Sequence, residues 1–270
     1  MKIAIVTLTF NQLEQATRPY IESLYAHTPK EDFQLIVVDN ASSDGTVQYL
    51  RELEQQHGNV TLILNKENLG YSKGNNQGLA LVDKSTPFIG LFNNDILFTP
   101  NWLPNVLKEF ERDPRIGLAS ARINHINKRK AKLTKDNYLE RYGRLLSRYK
   151  ESFTCNVWAF FCCVVIRRET FEKVGYLDER FTPAFFEDDD YCFRSLYAGY
   201  RNGYVNTAFI FHNHCATTGN MEGRKKLIER NRKYFYEKHY LGQYIYERMR
   251  DEHKPLRKVK AFFKRLAGRE

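Results

Sequence analysis

The chain has 270 residues, 42% hydrophobic and 27% charged, which is enough to bury one large α/β core and too apolar for a disordered or fibrous protein. Its five cysteines, at 155, 162, 163, 192 and 215, are odd in number and show no repeated C-x-x-C spacing, which excludes a disulfide framework or zinc site and predicts a reducing cytoplasm. The formal charge of +10 belongs to the tail, since residues 221–270 hold 16 Lys/Arg against 7 Asp/Glu while the first 220 hold 26 against 25. Such a surplus suits nucleic acid, anionic lipid or plain solvent.

The opening "MKIAIVTLTFN" has a short apolar run and no small-residue cleavage site, so no signal peptide is expected. Residues 2–10, 33–39, 60–65, 87–92 and 116–121 read as strands rich in Ile, Val, Leu and Phe. Helical patterns near 12–27, 46–57, 73–83 and 101–112 separate them. That rhythm predicts βαβ units and a mainly parallel sheet covered on both faces, with ligands beyond the carboxyl ends of the strands. "TFN", "DNASSDGT", "NKENLGYSKGNNQG" and "NND" follow the first four strands. Each alone reads as turn and cap residues, but four at one edge point to a polar ligand of nucleotide type. The last, inside "IGLFNNDILFTPNWL", is either a turn or a cation site.

Residues 122–152 are basic and polar, a mobile or helical insertion without a catalytic pattern. A buried strand is expected at 155–166, too short to span a bilayer, then a helix start at "RRETFEKVG". Trp158 and Phe160 within that run suit either core or an acceptor platform. The carboxylates Glu187 to Asp190 open an amphipathic helix, where acids gain from the macrodipole. Four together need capping or cation partners, or one has another task. A strand pair, "GYVNTAFIFHNHCATTG", ends in His212 and His214, which two-residue spacing puts on one side of a strand; they read as a shared site or as ordinary turn residues. The tail predicts a long helix over 224–250, a break at Pro255, and a last piece setting Leu256, Val259, Phe262, Phe263 and Leu266 against Arg257, Lys258, Lys260, Lys264 and Arg265. Such a basic amphipathic helix suits an anionic membrane surface, or a solvated helix packed on its own domain.

In order over residues 2–218, "VTLTFNQ", "LIVVDNASSDGT", "ENLGYSKGNNQGL", "FNNDILFTPNWL" and "VGYLDERFTPAFFEDDDYCFR" resemble the inverting glycosyltransferases of family 2, including rhamnosyltransferase-like enzymes of bacterial cell-envelope glycans. The resemblance implies a GT-A fold: a Rossmann-like, mixed, mainly parallel sheet flanked by helices, here with a basic helical extension. It implies a nucleotide-sugar-binding half at 1–121, an acceptor and catalytic half of the same domain at 122–218, and a tail at 219–270. Asp39 would contact the base, with Thr7, Phe10 and Asn11 lining its pocket. Asn68, Gly70, Lys73 and Asn75 would follow the ribose and diphosphate. Asp95 would be the metal carboxylate, with Asn93 and Asn94 beside it, and His212 the metal histidine, with His214 as its rival. Asp188, in the Glu187–Asp188 pair, would be the general base.

The implied cofactor is Mg²⁺ or Mn²⁺, which prefer hard oxygen ligands. The implied partners are a UDP- or dTDP-sugar donor, a glycan or lipid-linked acceptor, and the anionic inner face of the cytoplasmic membrane, against which the protein would be peripheral; no nucleic acid is expected. The chain departs from the family in "AFFCC", where a Gly-small pair is common, and in Gly175, Tyr176, Leu177 and Asp178, where Gly-Gly-Phe-Asp is common. Both bear on the acceptor. Two other readings compete. A sugar nucleotidyltransferase usually opens with a Gly-rich loop and a basic residue where this chain has "TLTFNQLEQ". A catalytically dead or nucleic-acid-binding module is opposed by the set Asp39, Asp95, Asp188 and His212, and would need a basic groove with stacking aromatics.

Overall fold

A computed structural model describes residues 1–124, 133–213 and 223–239. The chain divides into two units, Met1–Asn220 and Met221–Glu270. The first unit runs β1 (Ile3–Thr9), α1 (Arg18–His27), β2 (Phe33–Asp39), α2 (Thr46–Gln56), β3 (Val60–Leu64), α3 (Tyr71–Ala80), β4 (Phe88–Asn93), β5 (Ile96–Phe98), α4 (Trp102–Arg112) and β6 (Ile116–Ile123). It continues α5 (Tyr138–Leu146), β7 (Phe153–Asn156), β8 (Cys163–Arg167), α6 (Arg168–Val174), α7 (Glu187–Tyr197) and β9 (Arg201–His212). In the second unit the described helix is α8 (Arg224–Lys238). The expected continuation to 250, and the amphipathic piece after Pro255, lie outside the described residues. No described helix is long and apolar enough to cross a membrane.

The described strands form one sheet in the order β3-β2-β1-β4-β8-β6-β9-β5, with β7 on β9. β3, β2, β1 and β4 are mutually parallel, so their carboxyl ends share an edge. β8 is antiparallel to both β4 and β6, and β6 is parallel to β9, which brings the ends of β6 and β9 to that same edge. Ile3, Ile5, Leu35 and Val37 face a core built with Leu24 of α1, Leu50 of α2 and Trp102 of α4. Ala4, Val6 and Ile36 face the opposite layer, with Leu79 of α3 and Tyr191 of α7. Two buried faces explain why these strands read as continuous apolar runs rather than alternating ones.

Several expected elements differ. The helix expected at 12–27 is a π-helical turn, Leu13–Thr17, followed by α1. Asn11 and Gln12 both adopt left-handed backbone, and Pro19 suits the first turn of a new helix because its missing N–H would have no partner there. The expected strand at 155–166 is two strands serving different neighbours, β7 on β9 and β8 between β4 and β6. Residues 157–162 cross between them and stay apolar because Ala159 and Phe161 pack under Tyr191 and Cys192 of α7. Hydrophobicity there reports burial, not strand. The expected strand pair at 203–219 is the single long strand β9 as far as the described residues reach, and His214 lies outside them. Phe160 stacks on Tyr204 with ring centres 4.3 Å apart.

Helix α3 approaches the sheet through glycines spaced by one turn. A Cβ on Gly78 would collide with Cγ1 of Val6 and stand 3.2 Å from Cγ2 of Val38. Both neighbours are β-branched residues in central strands and cannot rotate away cheaply. Helix propensity favours alanine over glycine by about 1 kcal/mol, whereas overpacking costs about 1–3 kcal/mol. Gly78→Ala should therefore lower stability, read as a fall in the urea midpoint with an unchanged slope.

Candidate active site

The polar loops beyond β1 and β2 are tied into one structure. Asp39, at the end of β2, is wholly buried. Its Oδ2 accepts from Thr9 Oγ1 at 2.8 Å and Ser42 Oγ at 2.6 Å, and its Oδ1 accepts from Ser42 N at 2.8 Å. Three of a carboxylate's roughly four acceptor positions are thus spent on the fold. Asn11 donates its N–H to Ser42 Oγ at 2.7 Å and accepts from Ser43 N at 2.8 Å. Asp44 then caps α2, accepting from Thr46 Oγ1 at 2.6 Å and holding Leu13 N at 3.0 Å. Thr7 lies deeper, buried with its hydroxyl sharing a 2.6 Å hydrogen bond with Tyr20. Thr9, not Thr7, is the β1 hydroxyl that meets Asp39. Phe10 is half-buried at the rim.

The next loop is braced by carboxamides. Asn40 donates to Asn68 Oδ1 at 3.2 Å and accepts from Asn65 at 3.0 Å, and Asn65 in turn bonds Gln77. Asn68 also accepts from Gly70 N at 2.9 Å. Gly70 has φ 78°, and a Cβ there would come within 2.8 Å of Pro183 Cα, so only glycine lets the 182–186 segment lie against the start of α3. Tyr71 N donates to Pro183 O at 2.8 Å. Asn75 is buried and bonds Tyr71 O, while Lys73 is exposed on the same turn. Asn76, which sequence reasoning missed, clamps the 177–179 segment through the Leu177 backbone and Glu179.

The third loop answers the turn-or-cation question by register. Beyond β4 the chain turns at Asn94 and Asp95 into β5, where Ile96 pairs with His212 of antiparallel β9. Asn213 N donates to Asp95 O at 2.8 Å, locking the pairing. Downstream, buried Trp102 packs on Phe92 and Phe98 and donates Nε1–H to Thr28 Oγ1 at 2.8 Å, which anchors the far end of the motif. Asp95 Oδ1 thus stands 3.2 Å from His212 Nε2, and this enclosed oxygen makes no hydrogen bond among the described residues. Burial opposes a charge on His212, but Asp95 and Cys162 outweigh it and carry its pKa up to about 10. Asn124 holds the His212 backbone through bonds of 2.7 and 2.9 Å. Asn94 is spent on Thr17 Oγ1 at 2.9 Å; the half-buried Asn93 carboxamide makes no hydrogen bond among the described residues.

The four carboxylates of α7 have different fates. Asp190 is buried against Arg194 at 2.7 Å, whose guanidinium also ties down Val174 and Tyr176 carbonyls. Burial and the Asp188 charge raise the Asp189 pKa well above the ordinary range, against a hydrogen bond from Trp158. Asp188 is half-buried, accepts from Asp189 N at 2.9 Å and is raised by burial. Glu187 is 7% exposed, its Oε2 enclosed without a partner among the described residues. Burial first, then the Asp188 charge, push its pKa well up. Phe185 and Phe186 both take left-handed backbone just before the helix, a strain of about 1–3 kcal/mol each that persists only where the surroundings impose it.

Tyr71 connects these groups. Burial and then the charges of Glu187, Asp188, Cys162 and Asp95 raise its phenol well above the usual value, so Asp95 and the Glu187–Asp188 pair both act on this one phenol. Neither Tyr71 nor Cys162 carries a sequence signal of this role; only the fold brings them together. Among the described residues no three His, Cys, Asp or Glu side chains converge as a metal cage. Asp95 and His212, 3.2 Å apart, fit a divalent cation as two protein ligands once the ion displaces the His212 proton, and they need a ligand's oxygens to complete the shell. The Glu187 carboxyl generates a pH dependence. A raised folded-state pKa stabilises the protein below the ordinary Glu value and loses that contribution as pH climbs through the folded value. Glu187→Gln should therefore melt higher than the parent near pH 8 and match it near pH 4, close to the unperturbed carboxyl, in scanning calorimetry.

The family model for glycosyl transferase family 2 matches residues 4–175. The uncharacterized protein y4gI of Sinorhizobium fredii is 26% identical over 87% of this chain, which spans 27% of that relative. The chain thus covers about a quarter of its length. The N-acetylglucosaminyl-diphospho-decaprenol L-rhamnosyltransferase of Mycobacterium tuberculosis is 25% identical over 80% of this chain and 78% of its own. Among solved structures, the mannosyltransferase PcManGT of Pyrobaculum calidifontis, in complex with GDP-Man and Mn²⁺, superposes with a TM-score of 0.61 at 18% identity, covering 87% of this chain and 70% of that one. That likeness makes the mixed, mostly parallel sheet a GT-A fold. Matched over more than half its length by the family model, the chain belongs to glycosyl transferase family 2.

Proposed function

We propose that this chain transfers a sugar from a UDP- or dTDP-sugar to a hydroxyl of a cell-envelope glycan or lipid-linked acceptor, with inversion at the anomeric carbon. The observation that carries the reading is Asp95 standing 3.2 Å from His212 at the sheet edge where β1, β2 and β4 end, with Glu187 and Asp188 opening α7. The nucleotide lies along the edge of β1 to β4, its base beside the Asp39 loop and its phosphates toward the start of α3. Asp188 takes the proton of the acceptor hydroxyl while that oxygen bonds the anomeric carbon and the bond to the diphosphate breaks. Burial lifts the Asp188 carboxyl, which brings it closer to the basicity a general base needs near neutral pH. No protein nucleophile is required for a single displacement.

Asp95 and His212 would hold Mg²⁺ or Mn²⁺, which supplies positive charge against the diphosphate oxygens as the leaving group departs. Support for a divalent ion comes from the Mn²⁺ in the mannosyltransferase complex, and support for a lipid-diphosphate acceptor from the mycobacterial relative's name. The basic tail at 219–270 is proposed to meet anionic lipid at the inner membrane face, where such an acceptor would reside.

Asp188→Asn should retain nucleotide-sugar binding and lose transfer by about 10²–10⁴-fold. A panel of nucleotide sugars, assayed for transfer and for hydrolysis, selects the donor; undiminished transfer by Asp188→Asn would contradict the assignment of the base.

A further inference from the structure

Arg122 on β6 is 5% exposed, yet it has no salt bridge among the described residues, and no carboxylate contributes to its electrostatics. An unpaired buried charge is costly. The protein offsets part of this with two hydrogen bonds, Nε–H to Asn206 Oδ1 at 2.6 Å and Nη2–H to Thr154 Oγ1 at 3.0 Å. The guanidinium carbon lies 4.2 Å from the centre of the Tyr149 ring and 4.8 Å from that of Tyr204. Two tyrosine faces favour the cation, but a guanidinium has five donors. Among the described residues Nη1 makes no hydrogen bond, and it is not one of the fully enclosed polar atoms.

The position of this fork matters. Arg122 lies near the end of β6, at the sheet edge that carries the candidate site. Two residues on, about 7 Å along extended chain, Asn124 holds the His212 backbone. Phe160 donates its N–H to Ser120 Oγ at 2.9 Å and stacks on Tyr204, and the same crossing segment brings Trp158 to Asp189 and Cys162 to His212. The Arg122 fork and the candidate site therefore share the crossing segment 157–162 as one wall.

We infer that Arg122, between Tyr149 and Tyr204, is a subsite for the phosphate of the acceptor, that of a sugar phosphate or a lipid-linked sugar. The inference rests on the glycosyltransferase reading and assigns that reading's acceptor an anionic class. An arginine fork matches phosphate oxygens, and the charge left unpaired among the described residues gains its counter-ion when acceptor binds.

The test compares hexose and N-acetylhexosamine 1-phosphates with the matching methyl glycosides as acceptors, with donor hydrolysis followed separately. The wild type should prefer the phosphates by about tenfold or more in kcat/KM, as for a charge-assisted hydrogen bond. Arg122→Gln and Arg122→Lys should shrink that ratio, chiefly through KM for the phosphates. A purely structural arginine would lower both acceptors together; a ratio kept by the variants, or no preference in the wild type, overturns the inference while leaving transfer itself intact. The wild type alone offers a second readout. With UDP and Mn²⁺ present, a sugar 1-phosphate should raise Tm more than the methyl glycoside or inorganic phosphate at equal concentration. An equal response to inorganic phosphate would mark a free-phosphate site and overturn the acceptor assignment, and this readout holds even if no donor supports transfer.

Discussion

The candidate site depends on one backbone pairing, Ile96 of β5 opposite His212 of β9. β5 is three residues long and sits at the sheet's end, yet it brings an aspartate from the middle of the chain to within 3.2 Å of a histidine at the end of the longest strand. A slip of one residue would turn His212 to the other face. The pairing is secured on both sides: Asn213 bonds the Asp95 carbonyl, Asn124 bonds both backbone groups of His212, and Thr99 Oγ1 donates to Phe209 O at 2.6 Å. Trp102 and the Phe92–Phe98 rings hold the strand from the core side. The apolar half of the motif is thus the support for its polar half.

The rest of the site follows a division between side chains spent on the fold and side chains left for a ligand. Asn40, Asn65, Asn68 and Asn94 are engaged with one another, with the backbone or with Thr17, and Asp190 with Arg194. What remains is the Asn93 carboxamide, the Asp95–His212 pair and the Glu187–Asp188 pair. Those groups lie on α7, the end of β9 and the end of β4 with its turn into β5, rigid elements whose placement comes from packing. Rigid placement is what transition-state stabilisation needs, because donors and acceptors already in position cost no reorganisation during the reaction.

The parallel half of the fold was legible in the sequence because each of its strands is buried on both faces and each ends in a short polar loop. The acid run at 187–190 was legible as a helix start for the same local reason. What was not legible depended on long-range pairing. Residues 155–166 read as one strand because burial under α7 made the crossing as apolar as the strands it joins. β5 was too short to show a period, and without it only the family resemblance, not the local sequence, set Asp95 with His212 rather than as a turn residue. Thr7 was expected to line the base pocket; its side chain is buried and shares a hydrogen bond with Tyr20, which its motif did not signal. Tyr71 and Arg122 gave no local signal, since their importance is in what surrounds them. His214 and the amphipathic tail lie outside the described residues.

On the proposed reading, Asp95 and His212 would form an incomplete cation site that a nucleotide's diphosphate completes. Two protein ligands are too few to hold a hard divalent ion tightly alone. Calorimetric titration of Mn²⁺ into the protein, alone and in the presence of saturating nucleoside diphosphate, tests this directly. The account predicts weak binding alone and binding tighter by about tenfold or more with the nucleotide, as for two ligands coupled by 1–3 kcal/mol. Equally tight Mn²⁺ binding to the nucleotide-free protein would contradict it.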